Sequence, residues 1–165
     1  MNIQRVGFEM SNRARGYIAS GEFNGNRVPQ HLQNQIVKLY CDSKGLEFVL
    51  SRAEYWINGS TQCQLWAALK EGFKNIVFFS LWQLPNNKKE REKVYEYCSR
   101  NRIVLHFATE RMHANPDELP FSDLEVLIQS NLIMLQCPNI HGHLIDLREI
   151  ISQNNKNSSI DCHDQ

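Results

Sequence analysis

The stretch "RGYIASGEFNGNRVPQHLQNQIVKLYC", residues 15–41, decides the fold of this chain. It predicts a buried strand over residues 15–20, because the centre of that segment is apolar. A Gly/Asn-rich loop follows. A helix then begins at Val28-Pro29, since proline is tolerated in the first helical turn, where its missing N–H has no partner to lose. Four apolar residues at helical spacing predict the buried face of this helix: Leu32, Ile36, Leu39 and Tyr40.

The alternation of strand and helix continues along the chain. Further strands are predicted over residues 46–50, 76–79 and 102–110, with a loop over residues 51–59. Further helices are predicted from Ser60 or Thr61 onward, over 86–101, over 120–131 with Ser122 as the cap, and over 144–151. Residues 132–137 fit either a fifth strand or more helix. Such alternation predicts βαβ units with right-handed crossovers. We therefore expect a three-layer α/β fold: an open, mostly parallel sheet of four or five strands flanked by helices.

A chain of 165 residues is most simply one domain, long enough to bury a core without metals or disulfides. We expect residues 1–13 to form an N-terminal arm and residues 14–152 a single α/β domain. Residues 153–165 are polar, and we expect a disordered tail there.

Charge and composition narrow the function classes. Eighteen basic residues balance eighteen acidic ones, whereas proteins that bind a phosphate backbone usually carry a basic excess. The five cysteines are odd in number and contain no Cys-x-x-Cys pair, so neither a disulfide framework nor a zinc knuckle is indicated. No apolar run is long enough for a signal peptide or a membrane span. We expect a cytoplasmic protein with reduced thiols and no membrane association, and the balanced charge disfavours a nucleic-acid partner.

In open α/β sheets, ligands bind beyond the carboxyl ends of the strands, where the strand order reverses. The residues that leave the predicted strands are rich in polar and aromatic side chains: 20–27, 51–56, 80–85 and 106–111. Such an edge suits a polar, partly apolar ligand such as a sugar or a nucleotide. No Gly-rich phosphate motif accompanies it, because "FNGNR" matches neither the dinucleotide fingerprint nor the P-loop, and we expect no cofactor.

Three residues near the predicted strand ends are candidates for catalysis. Ser20 is a candidate nucleophile, but a serine needs a base or a lowered pKa in order to react, and His106 is the candidate base. The alternative is a hydrogen-bonded core histidine and a serine that only starts a loop. We favour that alternative, since no triad spacing can be read from the sequence. Glu54 is a candidate acid or base, and its alternative is a solvated carboxylate in a packing loop.

Other residues are candidates for ligand binding. Arg27 lies just before a predicted helix, whose unpaired N–H groups favour an anion. Its alternative is a surface ion pair with Glu22. The further candidates are Gln30, Tyr55, Ser80 and Trp82. A tryptophan can stack on a sugar or base, although packing at the rim is its commoner role. A turn is the favoured interpretation of the His-Gly-His run at 141–143, and no metal site is predicted.

Four segments carry a resemblance to a known family: "RGYIASGEFNGNRVPQHLQNQIVKLYC", "LSRAEYWINGS", "FFSLWQLP" and "LHFATE". Between residues 15 and 128 their succession resembles that of the bacterial sporadic carbohydrate cluster proteins. The resemblance implies a role in surface-carbohydrate biosynthesis, with a sugar phosphate or nucleotide sugar as the ligand to be bound or modified. The alternative is a non-catalytic scaffold that contacts enzymes of the same pathway. A homo-oligomer is compatible with either.

The order of elements is also similar to the catalytic domain of serine recombinases (resolvases and invertases), which implies a resolvase- or flavodoxin-like fold. Those enzymes attack a DNA phosphodiester with a serine after the first strand, and arginines lower the pKa of that serine. Their Tyr-x-Arg-Val-Ser pattern matches Tyr17 and Ser20 only with a one-residue slip, and its arginine becomes Ile18 or Ala19.

The second recombinase motif, Asp-Arg-Leu-Gly-Arg, falls on "WQLPN", where Gln83 and Asn86 replace both arginines. Losing two such cations costs several kcal/mol of transition-state stabilisation. We also expect no room in the chain for a long dimerisation helix followed by a helix-turn-helix. A recombinase-like DNA enzyme is therefore the least favoured function.

Overall fold

The computed structural model describes residues 12–22, 27–55, 62–115, 117 and 119–136. The strands are β1 (Arg13–Ala19), β2 (Glu47–Glu54), β3 (Asn75–Phe78), β4 (Val104–Phe107) and β5 (Met112–Ala114). The helices are α1 (Gln30–Lys44), α2 (Cys63–Lys70), α3 (Lys88–Asn101) and α4 (Phe121–Gln136), with a 3-10 helix at Leu81–Gln83.

The strands form one sheet in the order β2-β1-β3-β4-β5. Strand β1 is parallel to both β2 and β3, and β3 is parallel to β4. Among the described strands, the edge strand β5 is the one that runs antiparallel to its neighbour. The chain leaves β1 towards β2 and then returns to the other side of β1 to form β3, so the strand order reverses between β1 and β3. The predicted open, mostly parallel α/β sheet is confirmed.

Helices cover both faces of the sheet. Successive side chains of a strand point to opposite faces, so the contacts of β1 show which helix lies on which face. Ile18 packs on one face with Val37 of α1 in a buried cluster. Arg15 and Tyr17 point to the other face, where Arg15 forms an ion pair with Glu71, just after α2. The helix α1 and the helix α2 therefore lie on opposite sides of the sheet.

The buried face of α1 differs from the predicted one. The side chains that α1 buries are Gln33, Val37, Tyr40 and Cys41. Three of the four predicted core residues are exposed, namely Leu32 by 41%, Ile36 by 37% and Leu39 by 67%. Both sets recur at helical spacing, and the tertiary fold selects the set that contains a glutamine.

Several boundaries also differ from the prediction. Residues 51–54 belong to β2 and not to a loop, because β1 pairs with them in parallel register as far as Glu54. The predicted strand 102–110 ends at Phe107, and the turn after it leads into the unpredicted β5. The helix α4 continues to Gln136, so residues 132–136 are helical. Ser122 lies inside α4 and is not its cap.

Other predictions concern residues that the structure does not describe. They include most of the arm, Ser60 and Thr61, the His-Gly-His run, the helix at 144–151 and the tail at 153–165. The chain divides into two compact units, residues 1–121, which contain the sheet, and residues 122–165, of which the structure describes 122–136. Among the described residues, Cys41, Cys63 and Cys98 form no disulfide. No described helix combines the length and the apolar character needed to cross a bilayer.

Candidate site at the carboxyl ends of β1 and β3

Ser20 and Arg27 lie together where the chain leaves β1. The Ser20 N–H donates to the carbonyl of Glu54 at 2.9 Å, which fixes the end of β1 against β2. The Arg27 Nε donates to the carbonyl of Ser20 at 3.2 Å. Arg27 is exposed, and within the described segments it forms no ion pair with Glu22. An exposed guanidinium is thus held at the topological switch point, where ligands of this fold class bind.

A buried amide takes the place of β3 beside Ala19, which lies beyond the last residue of β1 that pairs with β3. Gln33 of α1 accepts a hydrogen bond from the Ala19 N–H at 3.1 Å and donates to the Ala19 carbonyl at 2.7 Å. It also donates to the carbonyl of Val28 at 2.6 Å. The side chain of Gln33 therefore satisfies both backbone groups of Ala19, as a residue of an adjacent strand would.

A second buried amide binds the backbone at the end of β3. The Gln83 Oε1 accepts from the Phe79 N–H at 3.0 Å and lies 3.4 Å from the Ser80 N. Its Nε2 donates to the Gln33 Oε1 at 2.8 Å. Both glutamines are 0% exposed. The two amides bridge β1 and β3 where the strands diverge, so a ligand here must lie outside this pair.

Ser80 is part of a hydrogen-bonded cap and not an open rim hydroxyl. It is 4% exposed, and its Oγ donates to Glu110 Oε1 at 2.8 Å. The same Oγ accepts from the N–H of Trp82 at 3.3 Å, which caps the 3-10 helix. Glu110 Oε2 accepts from the Leu81 N–H at 3.2 Å. The structure therefore gives Ser80 a local structural role.

Glu54 ends β2 and caps the helix α2. Its Oε2 accepts from the Gln64 N–H at 2.8 Å and from the Leu65 N–H at 3.2 Å. The Tyr17 hydroxyl donates to the same oxygen at 3.3 Å. A carboxylate there satisfies N–H groups that have no partner within the helix and lies at the positive end of the helix dipole. Glu54 is 4% exposed, so this arrangement favours a structural carboxylate over a solvated one.

The structure does not bring His106 close to Ser20. His106 pairs in register with Val77, which pairs with Gly16. Since Ser20 follows Gly16 by four residues, the two side chains are separated by about 13 Å along the strand direction alone. The His106 Nε2 lies 3.1 Å from the Asn75 Oδ1, and its Nδ1 lies 3.1 Å from the Tyr40 hydroxyl. This geometry agrees with the hydrogen-bonded core histidine that the sequence favoured.

Burial lowers the pKa of His106 to about 4, and the nearby charges of His113 and Lys44 add to the effect. The imidazole is therefore neutral near pH 7. Its Nε2 is the protonated nitrogen, because the facing Asn75 oxygen can only accept. A neutral imidazole fits the packed interior of the sheet.

The remaining predicted binding residues occupy different environments. Gln30 begins α1, and its Nε2 is buried without a hydrogen-bond partner among the described residues. Tyr55 directly follows β2 and is 68% exposed. Trp82 is partly buried against the core cluster beneath α1, as expected of a packing tryptophan. Trp56, which follows Tyr55 in the sequence, lies outside the described residues.

The electrostatics of this edge differ from those of a phosphoryl-transfer site. Two of the described carboxylates at this edge, Glu54 and Glu110, are committed to backbone N–H groups. Arg91 is 3% exposed and donates to the carbonyls of Pro85 and Asn86 at 2.9 and 2.8 Å. Arg27, beside Ser20 at the end of β1, remains accessible. No described group of three or more His, Cys, Asp or Glu side chains is arranged to hold a metal ion.

Sequence reasoning missed the structural roles of Gln33, Gln83 and Glu110. The sequence contained one signal for the burial of Gln33. It stands four residues before Val37, so both side chains lie on the same face of α1. Gln83 was noted only as the residue that replaces an arginine. Glu110 reaches Ser80 across 30 residues of sequence, and no local pattern reports such a contact.

A solved structure with a similar fold is that of a resolvase family site-specific recombinase from Streptococcus pneumoniae. The superposition has a TM-score of 0.51 at 13% sequence identity and covers 82% of this chain and 99% of the other. At that identity the likeness shows the fold alone, which is a resolvase-like α/β fold. The chain matches no protein-family model and no curated protein.

Proposed function

We propose that the carboxyl ends of β1 and β3, outside the buried pair Gln33 and Gln83, bind a small anionic ligand. The ligand is a sugar phosphate or nucleotide sugar used in surface-carbohydrate biosynthesis. The observation that carries the proposal is the position of Arg27, an exposed guanidinium held beside Ser20 at the switch point. Ligands of open α/β folds bind at such points. Arg27 contacts the phosphate, and the neighbouring polar groups contact the sugar.

The amino-terminus of α1 supports an anion at the same place. Its N-cap is Pro29, which makes no side-chain cap hydrogen bond. N–H groups in the first turn have no partner within a helix, and the helix dipole favours negative charge beside them. The Gln30 Nε2 adds a buried donor without a partner among the described residues. A phosphate oxygen would satisfy donors of both kinds.

The choice of ligand class follows the resemblance to the carbohydrate cluster proteins over residues 15–128. A nucleotide sugar combines an anionic diphosphate with a hydroxylated ring and an apolar base face. Arg27 suits the first of these, and the exposed ring of Tyr55 suits stacking on the last. Glu54 contributes here by holding α2 and the end of β2, and the role of Ser20 is to contact a ligand hydroxyl.

Thermal unfolding of the full chain with UDP-glucose and with glucose 1-phosphate tests this proposal. A ligand that binds only the folded state stabilises it by about 2.7 kcal/mol at 100 times its Kd, so the melting temperature must rise. Arg27→Gln should abolish the rise, whereas Arg102→Gln, at an exposed arginine that ends α3, should not. Unchanged melting of the wild-type chain at saturating concentrations of both ligands contradicts the proposal.

A second candidate function is recombinase-like cleavage of DNA, and the resolvase-like fold is the observation that favours it. Against it stand the two lost arginines, since Gln83, which replaces one of them, is committed to buried hydrogen bonds. Incubating the chain with nicked or suicide DNA substrates at low salt distinguishes the two functions. A covalent adduct that Ser20→Ala abolishes would establish the second candidate, and absence of DNA binding would exclude it.

A further inference from the structure

An open groove of about 630 Å³ lies between α1 and the turn that joins β4 to β5. We call it the α1 groove. Its lining residues are Ile36, Leu39, Tyr40, Ser43, Lys44, Ala108, Thr109 and Arg111. None of them belongs to the site proposed above. The volume falls within the range of small-molecule sites, roughly 300–1,000 Å³.

One wall of the α1 groove is apolar and exposed. Ile36 is 37% exposed and Leu39 is 67% exposed, on the stripe of α1 that the core does not use. Ala108 forms part of the lining behind them. A ligand that covers these exposed apolar side chains is stabilised by about 25 cal/mol for each Å² of apolar surface removed from water. The wall therefore favours a ligand with an apolar body.

The lining of the groove also includes two cations, Lys44 and Arg111, and no aspartate or glutamate among the described residues. Neither cation forms an ion pair with a carboxylate in the described part of the chain. The Lys44 ammonium lies 5.8 Å from the centroid of the Tyr40 ring and so stays beside the groove. Two uncompensated positive charges favour an anionic head group.

Arg111 occupies a backbone conformation that arginine rarely adopts. Its φ is +53°, in the left-handed region that favours glycine or asparagine. The neighbouring Glu110 points away, towards Ser80. This turn therefore directs the Glu110 carboxylate towards Ser80 at the end of β3, whereas Arg111 lines the α1 groove. The two opposite charges are separated although their residues are adjacent in sequence.

We propose that the α1 groove binds a small amphipathic anion, in which a phosphate or carboxylate head is joined to an apolar body. The head contacts Arg111 and Lys44, and the body covers Ile36 and Leu39. The proposal is independent of the sugar-phosphate site, because the two sets of residues do not overlap and the ligand chemistry differs.

Isothermal titration of the full chain tests the proposal with 1-naphthyl phosphate, 2-naphthoate, 1-naphthol and inorganic phosphate. The first two share an apolar body and differ in the head, whereas the last two supply the body or the head alone. We expect at least one of the first two to bind at one site per chain, roughly tenfold or more tighter than 1-naphthol or phosphate. The tighter of the two identifies the preferred head.

Two matched pairs of variants locate the site. Arg111→Asn removes the cation but suits a left-handed φ, and Arg102→Asn makes the same change at φ +51° outside the groove. Lys44→Gln is paired with Lys38→Gln, at an exposed lysine of α1 that does not line the groove. We expect each groove variant to weaken binding roughly tenfold. The matched variants should bind as the wild type does.

Four results overturn the proposal. The first is the absence of binding by both naphthyl anions. The second is binding of 1-naphthol as tight as that of the anions. The third is binding that both groove variants leave unchanged. The fourth is self-association of the wild-type chain that Leu39→Ser abolishes, because the apolar wall is then covered by a second copy.

Discussion

The Gln83 Nε2 donates a 2.8 Å hydrogen bond to the Gln33 Oε1, and both side chains are completely buried between the diverging ends of β1 and β3. Between them these amides satisfy the backbone of Ala19 and the N–H of Phe79. They fill the space between these strand ends at the switch point. The place for a ligand is therefore outside this buried pair, beside Arg27.

Replacing Gln33 by alanine should cost about 2–4 kcal/mol in the free energy of unfolding, since a buried group left without its partner costs about 1–3 kcal/mol. Ala19 and Gln83 would both lose partners. Urea denaturation measures the loss. The matched change is Gln35→Ala, at an exposed position of α1, which should alter the free energy by less than about 0.5 kcal/mol. Equal effects of the two changes would show that the amide bridge is unimportant.

Replacing Glu54 by glutamine removes the charge that caps α2 and keeps the size of the side chain. The hydrogen bonds from Gln64 N and Leu65 N would weaken, and the expected cost is about 0.5–2 kcal/mol in the free energy of unfolding. Thermal or urea unfolding measures it, with the exposed Glu92→Gln as the matched control. If ligand binding changes and stability does not, Glu54 acts on the ligand and the capping role is wrong.

Replacing Gly16 by alanine should destabilise the sheet. A Cβ at this position would lie 2.1 Å from the Ser51 Oγ and 2.9 Å from a carbon of the Phe48 ring. Forcing a side chain into such a contact costs about 1–3 kcal/mol. Adding Ser51→Gly should recover part of the loss in the double variant, because it removes the closer obstacle. Urea unfolding that shows no loss in the single variant would contradict this packing.

The buried His106 predicts a specific dependence of stability on pH. The pKa of His106 is lowered to about 4 in the folded chain from an ordinary value of 6.5. Between those values the unfolded chain binds a proton that the folded chain does not. The free energy of unfolding should therefore fall as the pH falls from 6.5 to 4, by at most about 3 kcal/mol from this residue.

Urea unfolding at several pH values measures this dependence. His106→Gln should flatten the slope between pH 6.5 and 4, whatever its effect on stability at neutral pH. His31→Gln, at an exposed residue of α1, is the matched control. An identical slope in the wild type and in His106→Gln would show that His106 titrates normally.

The candidate site was predictable only in part. That Ser20 and Arg27 would meet near the end of β1 followed from seven residues of separation and from the rule for strand ends. That Ser80 and Glu54 would be committed to caps did not follow. Their partners, Glu110 and the N–H groups of Gln64 and Leu65, are brought to them by the packing of other elements.

The amino-acid sequence by itself determined the succession of strands and helices and the open, mostly parallel sheet. Apolar periodicity and turn residues are local, and short α/β alternation leaves few arrangements. The tertiary structure alone decided which stripe of α1 is buried and that residues 112–114 form a strand. The helix carries two apolar stripes, and β5 exists only because it pairs with β4. Burial and pairing depend on neighbours distant in sequence, so only the assembled sheet selects among alternatives that local propensity leaves equal.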